Sequence, residues 1–186
     1  YLEQFLQETY KNFKDKKIDL KLIEIIDIIC QSEIAEILET RYLLLSCALD
    51  LCIEVIIQDL KIDIDKDTVV IQNIINTINK YFSKNNINID ESHIKNIAEK
   101  LAYPTLKKKI HQVISEFGFV YDNETIERIK KNRNKIVHEV RFVDYNSPLE
   151  DYNTIKLLVD KMMIKMLGYS GEVLDYTNKY KLKKIV

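Results

Sequence analysis

The sequence predicts an all-α fold, a helical bundle of about five to seven helices, and three observations support this class. The 186 residues include only three Gly and two Pro, which leaves little turn chemistry for a many-stranded β fold. Hydrophobic residues make up 46% and charged residues 31%, as in globular domains with a substantial core. Apolar side chains recur along most of the chain at the three- to four-residue spacing of a helix.

The first third of the chain is predicted to contain three helices. Two amphipathic helices are expected over 1–14 and 18–30, separated by the charged residues KDKK. The third begins at Ser32 or Glu33 and runs to about Asp59. Its centre, RYLLLSCALDLCIEVII, is apolar nearly all round. It is therefore expected to be the buried central helix.

The middle of the chain is predicted to hold a fourth helix and a long, interrupted fifth. Asp67 is the expected N-cap of the fourth helix, and 83–89 is a loop. The apolar stripe of this helix consists of Ile71, Ile74, Ile75, Ile78 and Phe82. The next helix runs from about Asp90 to Phe117, and Gly118 ends it. It is expected to bend or break at Pro104, because proline cannot donate to the helical ladder.

The clearest capping signal is SPLE, near the C-terminus. Ser147 is the predicted N-cap, Pro148 the first helical residue, and Glu150 the returning side chain of a capping box. This helix is expected to end at Gly168. Its predicted core residues are Ile155, Leu158, Val159, Met162, Met163 and Met166. The Tyr- and Lys-rich residues 172–186 are expected to form a basic tail.

Charge and cysteine usage narrow the functional classes. The formal net charge of −1 excludes a uniform attraction to nucleic acid, so any such binding requires a local patch. Cys30, Cys47 and Cys52 lie in apolar runs without metal-ligand spacing. Buried, reduced thiols in a cytoplasmic protein are expected from this pattern. No apolar run approaches the ~20 residues of a membrane helix, and neither a metal nor a cofactor nor a membrane partner is expected.

The helix capped by Asp122 carries KKNRNKIVHEV, residues 130–140. At 100° per residue, Arg133 falls near the middle of its apolar stripe, whereas Asn134 and His138 share another face. The predicted stripe is Ile126, Ile129, Ile136, Val137 and Val140. An arginine in that position must extend out of the core along its stem, pair with a buried acid, or meet an anion at an interface.

Basic residues crowd around Arg133. Arg128, Lys130, Lys131 and Lys135 give a positive patch on a protein that is otherwise close to neutral. They are candidates for binding RNA. A run of charge is more often a solvated face, so that interpretation stands beside the first.

RNKIVH, residues 133–138, resembles the R-N-x-x-x-H signature of HEPN domains, which are all-helical dimers and in many cases metal-independent ribonucleases. ETRYLLLSCALDLC at 39–52 and LLVDKMMIKMLGYSG at 157–171 are similar to the first long helix and the closing helix of the C-terminal HEPN domain of ApeA-type anti-phage proteins. The resemblance covers 39–171. It leaves 1–38 as a helical extension and 172–186 as the tail.

The resemblance implies a metal-independent endoribonuclease of the anti-phage or toxin type, acting on RNA, with tRNA as one candidate. It implies a homodimer with a composite site in which Arg133, Asn134 and His138 take part. In the first long helix, Asp50 stands where the family pattern has Glu, and Glu54 lies four residues further on the same face. Asp50 either orients Arg133 or His138 or is only a buried polar residue.

Two other functions remain open on the sequence. The chain could be a non-catalytic helical module for dimerisation or RNA binding. It could also be the partner of an upstream nucleotidyltransferase or sensor domain. The first residue is Tyr1 rather than Met, which predicts a piece of a longer protein with an additional N-terminal domain.

Overall fold

The computed structural model describes residues 2–17, 19–62, 68–85, 87, 90–101, 104–175, 177 and 181–184. The all-α class is confirmed: within these ranges lie eight helices and two short strands. The elements are α1 (Leu2–Lys16), α2 (Leu22–Ile34), α3 (Leu38–Asp59), α4 (Thr68–Lys84), α5 (Glu91–Leu101), α6 (Leu106–Phe117), α7 (Asn123–Glu139), α8 (Pro148–Met166), β1 (Glu172–Asp175) and β2 (Lys181–Lys184).

The number of helices exceeds the predicted five to seven because the segment predicted as one long fifth helix forms two helices. Its break is confirmed: α5 ends at Leu101, and Pro104 precedes the start of α6 at Leu106. Proline disfavours the helical conformation of the residue before it and removes one backbone donor, so the ladder stops there.

The chain divides into two compact units. One is continuous, Asp63–Lys109, and the other is discontinuous, formed by Tyr1–Ile62 together with Ile110–Val186. In the discontinuous unit α3 is the central helix, packed against α2, α7 and α8. Nine of its residues are buried, as its nearly uniform apolar character predicts.

The division of the chain at 38 and 171 stays a prediction, but contacts join α1 to the end of α8. The Asn12 amide donates to the Leu167 carbonyl at 2.9 Å, and the Ser170 backbone donates to Glu8 Oε2 at 3.1 Å. The N-terminal helix therefore packs in the same unit as the central helix.

In the continuous unit, α4 packs against α5. The predicted apolar stripe of α4 is half-buried at all five positions. The predicted cap, Asp67, lies outside the described residues. The predicted loop at 83–89 starts later than expected, because α4 continues to Lys84.

The predicted start of α3 at Ser32 or Glu33 is wrong. Ser32 lies inside α2, where it is buried and its hydroxyl donates to the Ile29 carbonyl at 2.7 Å. The chain is extended at Ala35 and Ile37, with ψ near 136° and 128°, so the helical ladder is interrupted there. No Gly or Pro marks this break.

The predicted capping box in SPLE is also wrong, although Ser147 is the N-cap of α8 and Pro148 is in its first turn. The Ser147 hydroxyl makes no cap hydrogen bond and instead accepts one from the Arg128 guanidinium. A charged donor on α7 thus takes the oxygen that a neutral backbone amide would otherwise use. By contrast, Asp122 caps α7 as predicted, accepting from the Thr125 backbone at 2.6 Å.

The C-terminal residues, expected as a basic tail, contain an antiparallel pair of strands. Glu172 pairs with Lys184 and Asp175 with Lys181. Val173 and Asp175 on β1 are buried. Side chains two residues apart lie on one face of a strand, so these two anchor β1 by that face.

Two further expectations concern the thiols and the membrane. All three cysteines are free, but only Cys52 is buried, whereas Cys30 and Cys47 are exposed. The expectation of buried thiols is therefore wrong for two of the three, because both lie on the outward side of helices whose other faces are apolar. Among the described helices, none combines the length and the apolar character needed to cross a membrane.

Candidate active site on α3 and α7

Helix α7 is held against α3 by a polar and an aromatic contact at Tyr42. Its hydroxyl donates to the Ile129 carbonyl at 3.2 Å. Its ring meets Phe142 edge-on, with the ring centres 5.3 Å apart. Because Tyr42 is fully buried, these contacts fix the position of α7 on the core.

A second link between the helices is the ion pair of Arg133 and Asp50. Arg133 Nη2 lies 2.6 Å from Asp50 Oδ2, and each side chain is about one-third exposed. Of the three environments open to Arg133 on the sequence, the structure has the pairing with an acid, but this acid is partly exposed rather than buried. The same contact places Asp50 where it orients Arg133. Glu54 is half-buried one turn further along α3.

The exposed thiol of Cys47 lies beside this pair. Partial shielding from water by its neighbours raises the pKa of Cys47, the charge of Asp50 raises it further, and Arg133 acts in the opposite direction. A thiol with a raised pKa is mostly protonated at neutral pH and is a poor nucleophile. Cys47 is therefore assigned no chemistry here.

The predicted buried stripe of α7 is correct at Ile126, Ile129 and Ile136 and wrong at the two valines. Val137 is 50% exposed and Val140 is 72% exposed. The buried face is completed instead by Asn132, which is 1% exposed. The core therefore contacts a face rotated towards Asn132, and this leaves Arg133 at its edge.

Asn134 and His138 are both exposed on α7. His138 is in the last turn, five positions after Arg133. Five residues correspond to a rise of about 7.5 Å and a rotation of about 140° around the helix axis. A single chain therefore presents Arg133 and His138 on different sides of α7.

Three of the four basic candidates around Arg133 are paired within the chain. Lys130 lies 3.2 Å from Glu127, and Lys135 lies 2.7 Å from Glu139. Arg128 pairs with Asp151. The fourth, Lys131, is exposed and has no ion pair with any residue in the described ranges. The local positive charge is consequently smaller than the sequence indicates.

A buried polar cluster next to the site was not expected from the sequence. The Asn132 side-chain oxygen accepts a hydrogen bond from the Val143 backbone amide at 2.9 Å. This bond ties the turn after α7 back to the helix, and Arg133, Asn134 and His138 lie between the two bonded residues. Asp151 is 4% exposed, and burial raises its pKa. The Asp151 Oδ2 and Asn132 Nδ2 atoms are buried and have no partner at full hydrogen-bond geometry within the described part of the chain, yet the Asn132 side chain lies close enough to lower the pKa of Asp151.

The turn that follows His138 contains a backbone strain. Val140 ends α7 with φ 54° and ψ 37°, the left-handed conformation that β-branched residues strongly disfavour. Its amide donates to the Ile136 carbonyl at 2.9 Å, so the turn closes α7 as a glycine would. Steric strain of this size is about 1–2 kcal/mol per residue.

Val140→Gly is expected to raise the free energy of unfolding by about 1 kcal/mol, since it removes the strain at a side chain with little packing to lose. Urea denaturation measures the change. Val137→Gly is the matched control, because Val137 is similarly exposed but helical; it is expected to lower stability by about 1 kcal/mol. A decrease for Val140→Gly would show that the strain is absent.

No group of three or more His, Cys, Asp or Glu side chains is placed to hold a metal ion among the described residues. The chain matches no protein-family model, no curated protein and no solved structure. The HEPN resemblance therefore stays a prediction that rests on the quoted sequence segments.

Proposed function

We propose that this protein is a metal-independent endoribonuclease of the HEPN type, acting as an anti-phage or toxin-like effector. The observation that supports this most directly is the 2.6 Å pairing of Arg133 with Asp50. These residues lie 83 positions apart in the sequence, on the two helices that the resemblance links. The same α7 exposes His138 near its end.

These side chains suit cleavage of RNA by its own 2′-hydroxyl. A histidine exchanges protons near neutral pH, so His138 can remove the 2′-hydroxyl proton or protonate the 5′-oxygen that leaves. An arginine stabilises the added negative charge on the phosphate oxygens in the transition state. Asn134 can hold the ribose or phosphate by neutral hydrogen bonds.

Asp50 contributes by positioning. The pairing with Asp50 occupies one terminal nitrogen of Arg133, and a guanidinium has five N–H donors. Donors therefore remain for a phosphate while the side chain is held in one orientation. Reducing the motion of Arg133 before the substrate binds lowers the entropy lost in the transition state.

Two copies of α7 are needed to complete this site. One chain supplies one histidine from α7, on a different side from Arg133, whereas cleavage uses both an acid and a base. A two-fold axis next to α7 would set each motif against its twin. The exposed apolar residues between positions 137 and 149 support such an interface. They are Val137, Val140, Val143, Tyr145 and Leu149.

The proposal is tested by incubating the protein with total tRNA and a structured RNA in EDTA. Cleavage to 2′,3′-cyclic phosphate and 5′-hydroxyl ends is expected. A matched oligonucleotide with one 2′-deoxy nucleotide at the cleaved position should remain intact, because it lacks the nucleophile. Cleavage of that oligonucleotide, or a strict need for Mg²⁺, would refute the mechanism.

A non-catalytic dimerisation module is the alternative that a structural feature favours. The basic residues are largely paired within the chain, and the exposed apolar residues alone could form an interface. Sedimentation of the wild-type protein and of Val137→Asp separates the two functions. A dimer that is lost in Val137→Asp, together with no RNA cleavage by the wild type, would support the alternative.

A further inference from the structure

The chain reverses direction just after His138, and Asn132 holds it in place there. Val140, two residues beyond His138, has the left-handed conformation that ends α7. Three residues later, the Val143 backbone amide donates to the Asn132 side-chain oxygen at 2.9 Å. Asn132 lies eight positions before Val140, or about 12 Å back along α7. Residues 141–143, the return segment, therefore run back beside the helix that they follow.

The turn at Val140 depends on the contacts of this return segment. The left-handed conformation is unfavourable for a β-branched residue, so it persists only where the surrounding structure holds it. The return segment supplies two such contacts. One is the bond to Asn132, and the other is the buried Phe142, whose ring meets Tyr42 edge-on. Losing the bond would leave the Val143 amide without its partner and weaken the hold on the turn.

The orientation of the Asn132 amide is fixed by a buried ion pair. Asp151 on α8 is buried and pairs with Arg128, which lies one turn before Asn132 on α7. Burial raises the pKa of Asp151, whereas the Asn132 side chain and Arg128 lower it. An amide lowers the pKa of a carboxyl by turning its NH₂ group towards it, and its oxygen then points away. That oxygen is the acceptor for Val143.

His138 lies in the part of α7 that this bond controls. The last carbonyl groups of a helix have no partner within it, so a final turn frays unless the chain beyond it is fixed. His138 is in that turn and its side chain is exposed. In the proposed site it must meet the RNA backbone at a set distance, and a misplacement of about 1 Å can lower a rate about 10²-fold.

We propose that Asn132 is a positioning residue for RNA cleavage, which fixes the orientation of His138 through the return segment and does not itself touch the RNA. This inference rests on the proposed ribonuclease function. The role differs from that of Asp50, which acts on its arginine by direct pairing.

Two variants separate this role from a purely structural one. Asn132→Leu is similar in size but has no acceptor for the Val143 amide. Asn132→Asp keeps an oxygen there but places a second carboxylate beside the buried Asp151. Both should be less stable than the wild type in urea, because the first leaves a donor unpaired and the second buries a charge. Only the first should lose the positioning of His138.

The rates are measured with RNA in EDTA, under conditions where every variant is folded. Asn132→Leu should lower kcat about 10²-fold and leave KM within about twofold of the wild-type value. Asn132→Asp should keep kcat within about threefold of that value, because its acceptor is retained. Ile25→Val, at a buried position on α2, is the control for lost stability and should cleave RNA at the wild-type rate.

Hydrogen exchange of the wild-type protein adds a test that needs neither a variant nor RNA. Val143 is 51% exposed, yet its amide should exchange far more slowly than an unbonded surface amide. Exchange at the rate of a free surface amide would mean that Asn132 does not hold the return segment, and the proposal would be wrong.

The cleavage results distinguish this role from the ribonuclease itself. A wild-type kcat in Asn132→Leu would overturn the positioning role and leave the ribonuclease proposal intact. Equal losses of kcat in Asn132→Leu and Asn132→Asp would contradict a role for the acceptor oxygen. No cleavage by the wild type would refute the ribonuclease and the positioning role together.

Discussion

His138→Ala is expected to lower the rate of RNA cleavage by about 10³-fold, within the range for loss of a general acid or base. The change removes an exposed side chain from the last turn of α7, so the fold and the oligomeric state should be preserved. The rate is measured in EDTA under single-turnover conditions, and circular dichroism and sedimentation confirm the fold and the assembly.

The control for this prediction is His93→Ala. His93 is also exposed and helical, but it lies on α5 in the continuous unit. The His93→Ala variant should cut RNA at the wild-type rate. Arg133→Ala should lower the rate by about 10²–10³-fold, as expected for loss of a transition-state charge partner. If His138→Ala cleaved RNA as fast as the parent protein, the catalytic assignment would be wrong.

Tyr42→Ala is expected to lower the free energy of unfolding by about 3–5 kcal/mol, the range for removing a large buried aromatic side chain. Tyr42 is fully buried, contacts Phe142 and donates to Ile129, so the change creates a cavity between α3 and α7. Tyr42→Phe keeps the ring and loses only the hydrogen bond, and should cost about 1 kcal/mol. Urea denaturation gives both values.

Tyr10→Ala is the control for the effect of burial, because Tyr10 is 66% exposed on α1. Its free energy of unfolding should stay within about 0.5 kcal/mol of the wild-type value. A similarly small effect for Tyr42→Ala would mean that α7 is not anchored on α3 through this ring. The position of Arg133 relative to Asp50 would then need another explanation.

Helices were predicted well where a strong local signal marks their ends. Pro104 separates α5 from α6, Gly118 follows α6 with φ 71°, and Asp122 caps α7. The start of α3 was misplaced because the break at 35–37 contains no Gly or Pro, and the N-cap of α3, Ile37, makes no side-chain cap hydrogen bond. The sequence therefore carries no local signal for this break. The capping box at Ser147 failed because a distant arginine competes for its hydroxyl.

The site shows the same limit of sequence reasoning. Periodicity placed Asn134 and His138 on a face to one side of the apolar stripe, and pairing of Arg133 with a buried acid was one of three stated alternatives. Asp50 was named as a candidate partner only through the family resemblance, because the pairing depends on how α3 and α7 pack and has no local signal in the sequence. Asn132 was missed because a buried polar residue looks like a surface residue in the sequence until its partner, here the Val143 backbone, is known.

Helix α3 packs against α8, which follows it only much later in the sequence, and this affects the protein while it is being synthesised on the ribosome. The face of α3 that contacts α8 cannot be covered until about 100 residues after α3 have been made. At usual translation rates this delay is roughly 5–20 s. During that interval the central helix α3 is covered only by α2 and, once it has been made, by α7. Nascent chains truncated before α8 should therefore bind chaperones and aggregate, even though every helix they contain is intact.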